Sequence, residues 1–191
     1  MDGEEPDRED PQVGRATQRQ GHYKIFLGMA AGVGKTYRML QEGHAEAGAG
    51  RDVVIGYLEP HKREETSAQA RGLEALPRRP VQVRDVAVEE MDLPALLARA
   101  PELALIDELA HTNPPGLPHR KRHEDIVDVL AAGIDVYSTV NVQHLESLND
   151  QVAELTGVRV RETIPDSLLA SAARFSILKK LLSAASMFSP G

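Results

Sequence analysis

From Lys24 to Thr36 the chain reads Lys-Ile-Phe-Leu-Gly-Met-Ala-Ala-Gly-Val-Gly-Lys-Thr: a short apolar strand, a loop of small residues, then a lysine and a threonine that open a helix. Glycine at 32 and 34 permits backbone angles and close approaches that a side chain forbids, so successive backbone N–H groups can turn inward around an anion. The pattern predicts a nucleotide-phosphate loop built from Gly28, Gly32, Val33, Gly34, Lys35 and Thr36, with Tyr37 at its rim. Lys35 reaches the outer phosphates, the Thr36 hydroxyl ligates Mg²⁺, and the helix N-terminus adds its partial positive charge. The usual spacing, Gly-x-x-x-x-Gly-Lys-[Ser/Thr], asks for glycine at position 29, where this chain has Met29, while Gly28 comes one residue early. The loop is therefore longer or differently entered, with its Gly-Val-Gly-Lys-Thr end intact. A glycine-rich turn that holds no ligand is the competing reading.

Aromatic residues make up only 4% of the 191 positions and tryptophan is absent, so aliphatic side chains must fill the interior. Such a core suits a parallel sheet covered by helices on both faces. The formal net charge of −7 argues against a general nucleic-acid binder, whose affinity comes from lysine and arginine neutralising phosphates. With no cysteine there is neither a disulfide nor a thiolate metal site, which fits a reducing compartment, and the expected location is cytoplasmic. Residues 1–21 are acidic and nearly devoid of apolar side chains, so a disordered tail is expected there. No uninterrupted apolar run is long enough to encode a membrane span.

Further along, the patterns predict a helix over Arg38–Ala49, a buried strand over Val53–Leu58, and a helix over Glu64–Leu76. A weak strand at Val81–Val83, a helix over Leu93–Ala100 and a strand over Leu103–Ile106 follow. Beyond the proline-rich loop Asn113–Pro118, helices are expected at Ile126–Ala132 and Gln143–Leu155, with a strand at Ile134–Val140 between them. This alternation predicts an α/β fold: a three-layer, doubly wound, mostly parallel sheet of the phosphate-loop nucleoside triphosphate hydrolase type, with its ligand at the C-terminal strand edge. The strand Leu103–Ile106 runs into two carboxylates, Asp107 and Glu108. Beside a phosphate loop, Asp107 is the expected metal residue, with Thr36, and Glu108 the candidate base, with Lys35 as the other candidate catalytic residue.

Four stretches together carry a family resemblance: Gly32-Val33-Gly34-Lys35-Thr36-Tyr37, Gly56-Tyr57-Leu58-Glu59-Pro60-His61, Asp107-Glu108-Leu109-Ala110-His111-Thr112-Asn113 and the run Thr139–Asp150. In order and spacing they resemble the N-terminal cytoplasmic domain of the KdpD family of osmosensitive potassium-channel sensor histidine kinases, over about Tyr23 to Ala170. The resemblance implies a domain, residues 22–170, that binds ATP with Mg²⁺ and modulates a kinase. It maps the phosphate-loop and acidic motifs onto Gly28–Thr36 and Asp107-Glu108, and it implies that the early glycine is a family trait. Family members continue into a stress-protein-like domain, membrane helices, a phosphoacceptor helix pair and a catalytic domain, none of which is recognised here. His123-Glu124 lacks the flanking residues of a phosphoacceptor and is not read as one.

Partners implied by the resemblance are a sensor kinase or other two-component protein reached in trans, with association of like copies left open. Phe175, Leu178, Leu182, Ala185 and Phe188 recur at helical spacing, so residues 171–191 are expected to form an amphipathic helix and tail. His111, His119 and His123 lie close in sequence but without a cysteine, and zinc is not expected there. In the basic cluster 119–123 an arginine reaching a phosphate is the functional reading and a solvated loop the plainer one. Two functions are weighed: an ATP-binding regulatory module, and a catalytic ATPase or phosphotransferase that uses Glu108 as base.

Overall fold

The two sides of each apolar strand pack into different cores, and this decides the layering. In the computed structural model, which describes residues 19–29, 31–59, 64–149, 154, 160–171 and 174–178, the chain runs β1 (Tyr23–Gly28), α1 (Lys35–Gly48), β2 (Val53–Tyr57), α2 (Glu64–Ala70), β3 (Glu74–Ala75), β4 (Arg79–Val83), β5 (Val86–Glu90), α3 (Leu93–Arg99), β6 (Leu103–Ile106), α4 (Arg122–Ala131), β7 (Asp135–Asn141), α5 (Asp166–Ser171) and β8 (Arg174–Leu178). Ile25, Val54, Ala104, Ile106 and Val136 meet Leu93 and Leu96 of α3 and Ile126 and Val129 of α4. Phe26, Val53, Ile55, Leu103, Leu105 and Tyr137 meet Met39 and Leu40 of α1. Helices thus cover both faces of the sheet, and β6 is fully buried, as a strand between two helical layers must be.

Six strands form one all-parallel sheet in the order β3-β2-β6-β7-β1-β8, while β4 and β5 form a separate antiparallel hairpin. The connection from β1 through α1 to β2 passes over β6 and β7. Strand β7 is consequently inserted between the strand that enters the glycine loop before α1 and the strand that runs into Asp107. Register along β2 and β6 slips between Ile55 and Tyr57, an extra residue at Gly56 that turns the Tyr57 side chain toward the α3–α4 face.

Several expectations are corrected. The helix over Glu64–Leu76 stops at Ala70: Gly72 takes φ +90° and Glu74–Ala75 pairs with Val54–Ile55 as the edge strand β3. The weak strand at Val81–Val83 has a partner, β5, reached through a tight turn with Arg84 at φ 53°. Helix α4 starts four residues early, at Arg122, where the Lys121 N–H donates to Glu124 Oε2 at 2.9 Å. After β7 a 3₁₀ turn, Val142–His144, replaces the first part of the helix expected over Gln143–Leu155, and helical backbone follows at 146–149 and at 154; residues 150–153 and 155–159 lie outside the described residues.

At the C-terminus, Arg174–Leu178 is a strand paired with β1, whereas a helix is expected from its spacing. Phe175 and Ile177 also satisfy a period of two, and the open edge of β1 supplies the unpaired backbone groups that decide between the periods. Positions 179–191 lie outside the described residues, as does 1–18 of the expected tail. Arg19 pairs with Asp135 at 2.9 Å and the Gly21 N–H donates to Leu130 O at 2.8 Å, where a Cβ would lie 1.9 Å from Ile134 O.

Candidate functional site

Strand β1 ends at Gly28, and the loop behind it reaches α1 through Gly32 at φ +76° and Gly34 at φ +91°, left-handed angles that glycine adopts without strain. A Cβ on Gly28 would sit 2.6 Å from Lys35 Cδ and 2.7 Å from Val33 Cγ2. Gly28 is therefore the glycine that the folded-back loop requires at its entry, and Met29, 54% exposed, points away from that crowding. Gly34 is the N-cap of α1 and no side chain caps the helix start, so its first N–H groups face the loop.

The acidic pair stands opposite. Asp107, buried at the end of β6, accepts from the Thr36 hydroxyl at 3.2 Å through each of its carboxylate oxygens and from the Thr139 hydroxyl on β7. Thr139 Oγ1 in turn accepts the Glu108 N–H at 3.2 Å, and the Thr139 carbonyl accepts the Leu109 N–H at 2.9 Å. Glu108 adopts φ 55°, uncommon for a side chain of its size. Two residues along β7 from Thr139, Asn141 Oδ1 accepts from Lys35 Nζ at 2.5 Å. One strand thus ties the loop lysine to the acidic pair.

These residues enclose a cleft of about 500 Å³ at the C-terminal edge of the sheet. Gly32, Val33, Gly34, Lys35, Thr36 and Tyr37 line one side, and Asp107, Glu108, His111, Thr139, Asn141 and Glu162 are among the residues of the other. Gly28 lies behind Lys35, outside this lining. Tyr37 sits at the rim, 39% exposed, its hydroxyl taking a 3.3 Å hydrogen bond from Gln69.

Behind the cleft lies a buried ionic cluster. Arg122, 0% exposed, donates to Glu90 Oε2 at 2.8 Å and stacks 3.7 Å from the Tyr57 ring centroid. His111 Nε2 meets the other Glu90 oxygen at 2.9 Å. Burial opposes the Glu90 charge, but His111 and Arg122 outweigh it and hold the carboxyl below its ordinary range. The basic cluster 119–123 divides: Arg122 is core, Arg120 is exposed, Lys121 Nζ donates to Thr112 Oγ1 at 2.6 Å, and none of the five lines the cleft. His119 pairs with Asp128 at 2.7 Å, and among the described residues no group of three or more His, Cys, Asp or Glu converges as a metal site.

Thr139 and Asn141 open the fourth family-like stretch, Thr139–Asp150, and the structure adds their contacts with Asp107 and Lys35. Their signal is positional: they end the strand paired with β1, with Asn141 in register with Gly28.

The family model described as the osmosensitive K⁺ channel His kinase sensor domain, KdpD, matches residues 19–179. The chain belongs to the KdpD sensor-domain family. That span is wider than the Tyr23–Ala170 read from motifs, taking in Arg19 and β8. The putative sensor protein KdpD of Synechocystis sp. is 59% identical over 154 residues, 81% of this chain and 42% of that protein. The sensor protein KdpD of Escherichia coli is 49% identical over 171 residues, 88% of this chain and 19% of that protein, and the Clostridium acetobutylicum protein is 48% identical over 161 residues, 84% and 18%. This KdpD-family chain thus spans less than half the length of these relatives. Among its described residues no helix is long and apolar enough to cross a membrane.

Proposed function

We propose that the chain is a cytoplasmic ATP-binding regulatory module of a potassium-responsive two-component system, with the phosphate-loop nucleotide-hydrolase type of fold, acting on a sensor kinase in trans. The observation that carries this is the meeting of Thr36 with both oxygens of Asp107 at 3.2 Å beside the uncapped start of α1. A hydroxyl and a buried carboxylate so placed, at the mouth of a glycine loop, are the donor set for Mg²⁺ that carries a polyphosphate. Held there by Thr36 and Asp107, Mg²⁺ would offset the negative charge of the phosphates. Gly32 and Gly34 leave room for the loop N–H groups to approach the phosphates, Lys35 supplies a charge-assisted contact, and Thr36 and Asp107 hold the cation.

A catalytic ATPase or phosphotransferase is the second reading. Glu108 favours it: a carboxylate held at positive φ in the cleft, its N–H fixed by Thr139, is the kind of strained placement found where a base is aimed at water. Calorimetric titration of the chain with ATP, with and without Mg²⁺, tests the main reading. Micromolar binding that needs Mg²⁺, and loses that need in Thr36→Ala, is expected; no binding in wild type would remove both readings. Turnover abolished in Glu108→Gln with ATP binding retained would favour the second.

A further inference from the structure

We propose that Asn141 reads the terminal phosphate, giving the cleft its discrimination between nucleoside triphosphate and diphosphate; the inference rests on the nucleotide reading above. Lys35 Nζ can only donate, so the amide must present its oxygen to the ammonium across the 2.5 Å contact. Its two N–H donors are then what the side chain has left to offer a ligand in the cleft it lines. An aspartate here would hold Lys35 equally well but cancel its charge. A neutral acceptor steadies the ammonium while leaving the positive charge available to an anion, and the donor end of the same group can meet that anion's oxygen.

Place in the sheet adds to this. Asn141 ends β7, between the loop strand and the Asp107 strand, so an oxygen taken by Lys35 and by a cation on Thr36 and Asp107 would lie beside it. A diphosphate that ends one group short leaves Asn141 on Lys35. A triphosphate draws the ammonium outward and exchanges that partner for phosphate.

The exchange has a route outward. Asn141 is the N-cap of the turn Val142–His144, whose His144 ring nitrogen Nδ1 lies 2.6 Å from Glu162 O and whose carbonyl accepts the Ile164 N–H at 2.8 Å. A change at Asn141 therefore reaches the segment that leads into α5.

The test is titration of the full chain with Mg²⁺ and either ADP or the non-hydrolysable β,γ-imido analogue of ATP. In Asn141→Ala the analogue is expected to bind on the order of tenfold more weakly, the scale of one hydrogen bond to a charged group. ADP should change by about twofold or less on the same reasoning. Asn141→Asp, equal in shape, should weaken the analogue at least as far, which guards against a folding defect in the alanine variant. In wild type, amide exchange at Val142–Leu145 should respond to the analogue and not to ADP. A wild-type-like ratio of the two affinities in both variants would overturn the inference while leaving nucleotide binding intact. Failure of wild type to bind either nucleotide would overturn the reading beneath it as well.

Discussion

Replacing Arg122 by leucine should be among the most damaging single changes outside the cleft. The guanidinium is fully buried, the Glu90 side chain is 7% exposed, and the two meet at 2.8 Å. Removing Arg122 leaves the buried Glu90 carboxylate with His111 as its remaining ionic partner, and breaking a buried pair in this way costs about 3–5 kcal/mol. Stacking on Tyr57 at 3.7 Å is lost as well. Against a total stability of about 5–15 kcal/mol, that loss is large. For a domain of this size the melting temperature should fall by roughly 6–20 °C. Urea unfolding followed by circular dichroism measures the effect, and the double variant Glu90→Leu/Arg122→Leu separates stranded charge from lost packing. It should recover most of the loss, because an apolar pair of similar volume avoids the desolvation of both ions. A loss under about 1 kcal/mol in the single variant, or a double variant no better than the single, would refute the reasoning.

The same cluster sets a pH dependence. The Glu90 carboxyl is held below its ordinary range in the folded chain, so its contribution is present above the unfolded carboxyl pKa and is lost as pH falls through the folded one. Thermal melts between about pH 6 and pH 3 should therefore show a smaller acid loss in the double variant than in wild type. Glu108→Asn should raise the urea midpoint, by about 1 kcal/mol of stability, since asparagine tolerates the φ of 55° better; an unchanged or lower midpoint would speak against strain there. Gly28→Ala should lower nucleotide affinity because its Cβ meets Lys35 Cδ at 2.6 Å, whereas Met29→Gly, at an exposed position, should leave affinity within about twofold; equal effects would contradict the assignment of Gly28 as the entry glycine.

The alternation of strands and helices was legible because buried parallel strands such as Leu103–Ile106 are written as unbroken apolar runs. Motif spacing marked the loop and the Asp107-Glu108 pair, which the fold brings to one cleft. What stayed hidden depends on tertiary pairing. Glu74–Ala75 has no strand signal of its own and is a strand only because β2 has an open edge. Arg174–Leu178 fits two periods, and the edge of β1 selects one. Thr139 and Asn141 belong to the family-like run Thr139–Asp150, but their contacts with Asp107 and Lys35 follow only once the sheet order sets β7 between β1 and β6. Arg122 sits in a basic run that reads as solvated surface, and its burial is explained by Glu90, thirty-two positions away, together with the Tyr57 ring.

The most direct test of the central claim is isothermal titration of Mg·ATP into the wild-type chain and into Lys35→Ala. Lys35 stands at the start of α1 with its ammonium steadied by Asn141, so removing it deletes a charge-assisted phosphate contact without touching the core. Wild type should bind, and the variant should bind on the order of tenfold more weakly or worse while melting at the same temperature. Equal affinities in the two proteins would contradict the account, reducing the glycine loop to a structural turn.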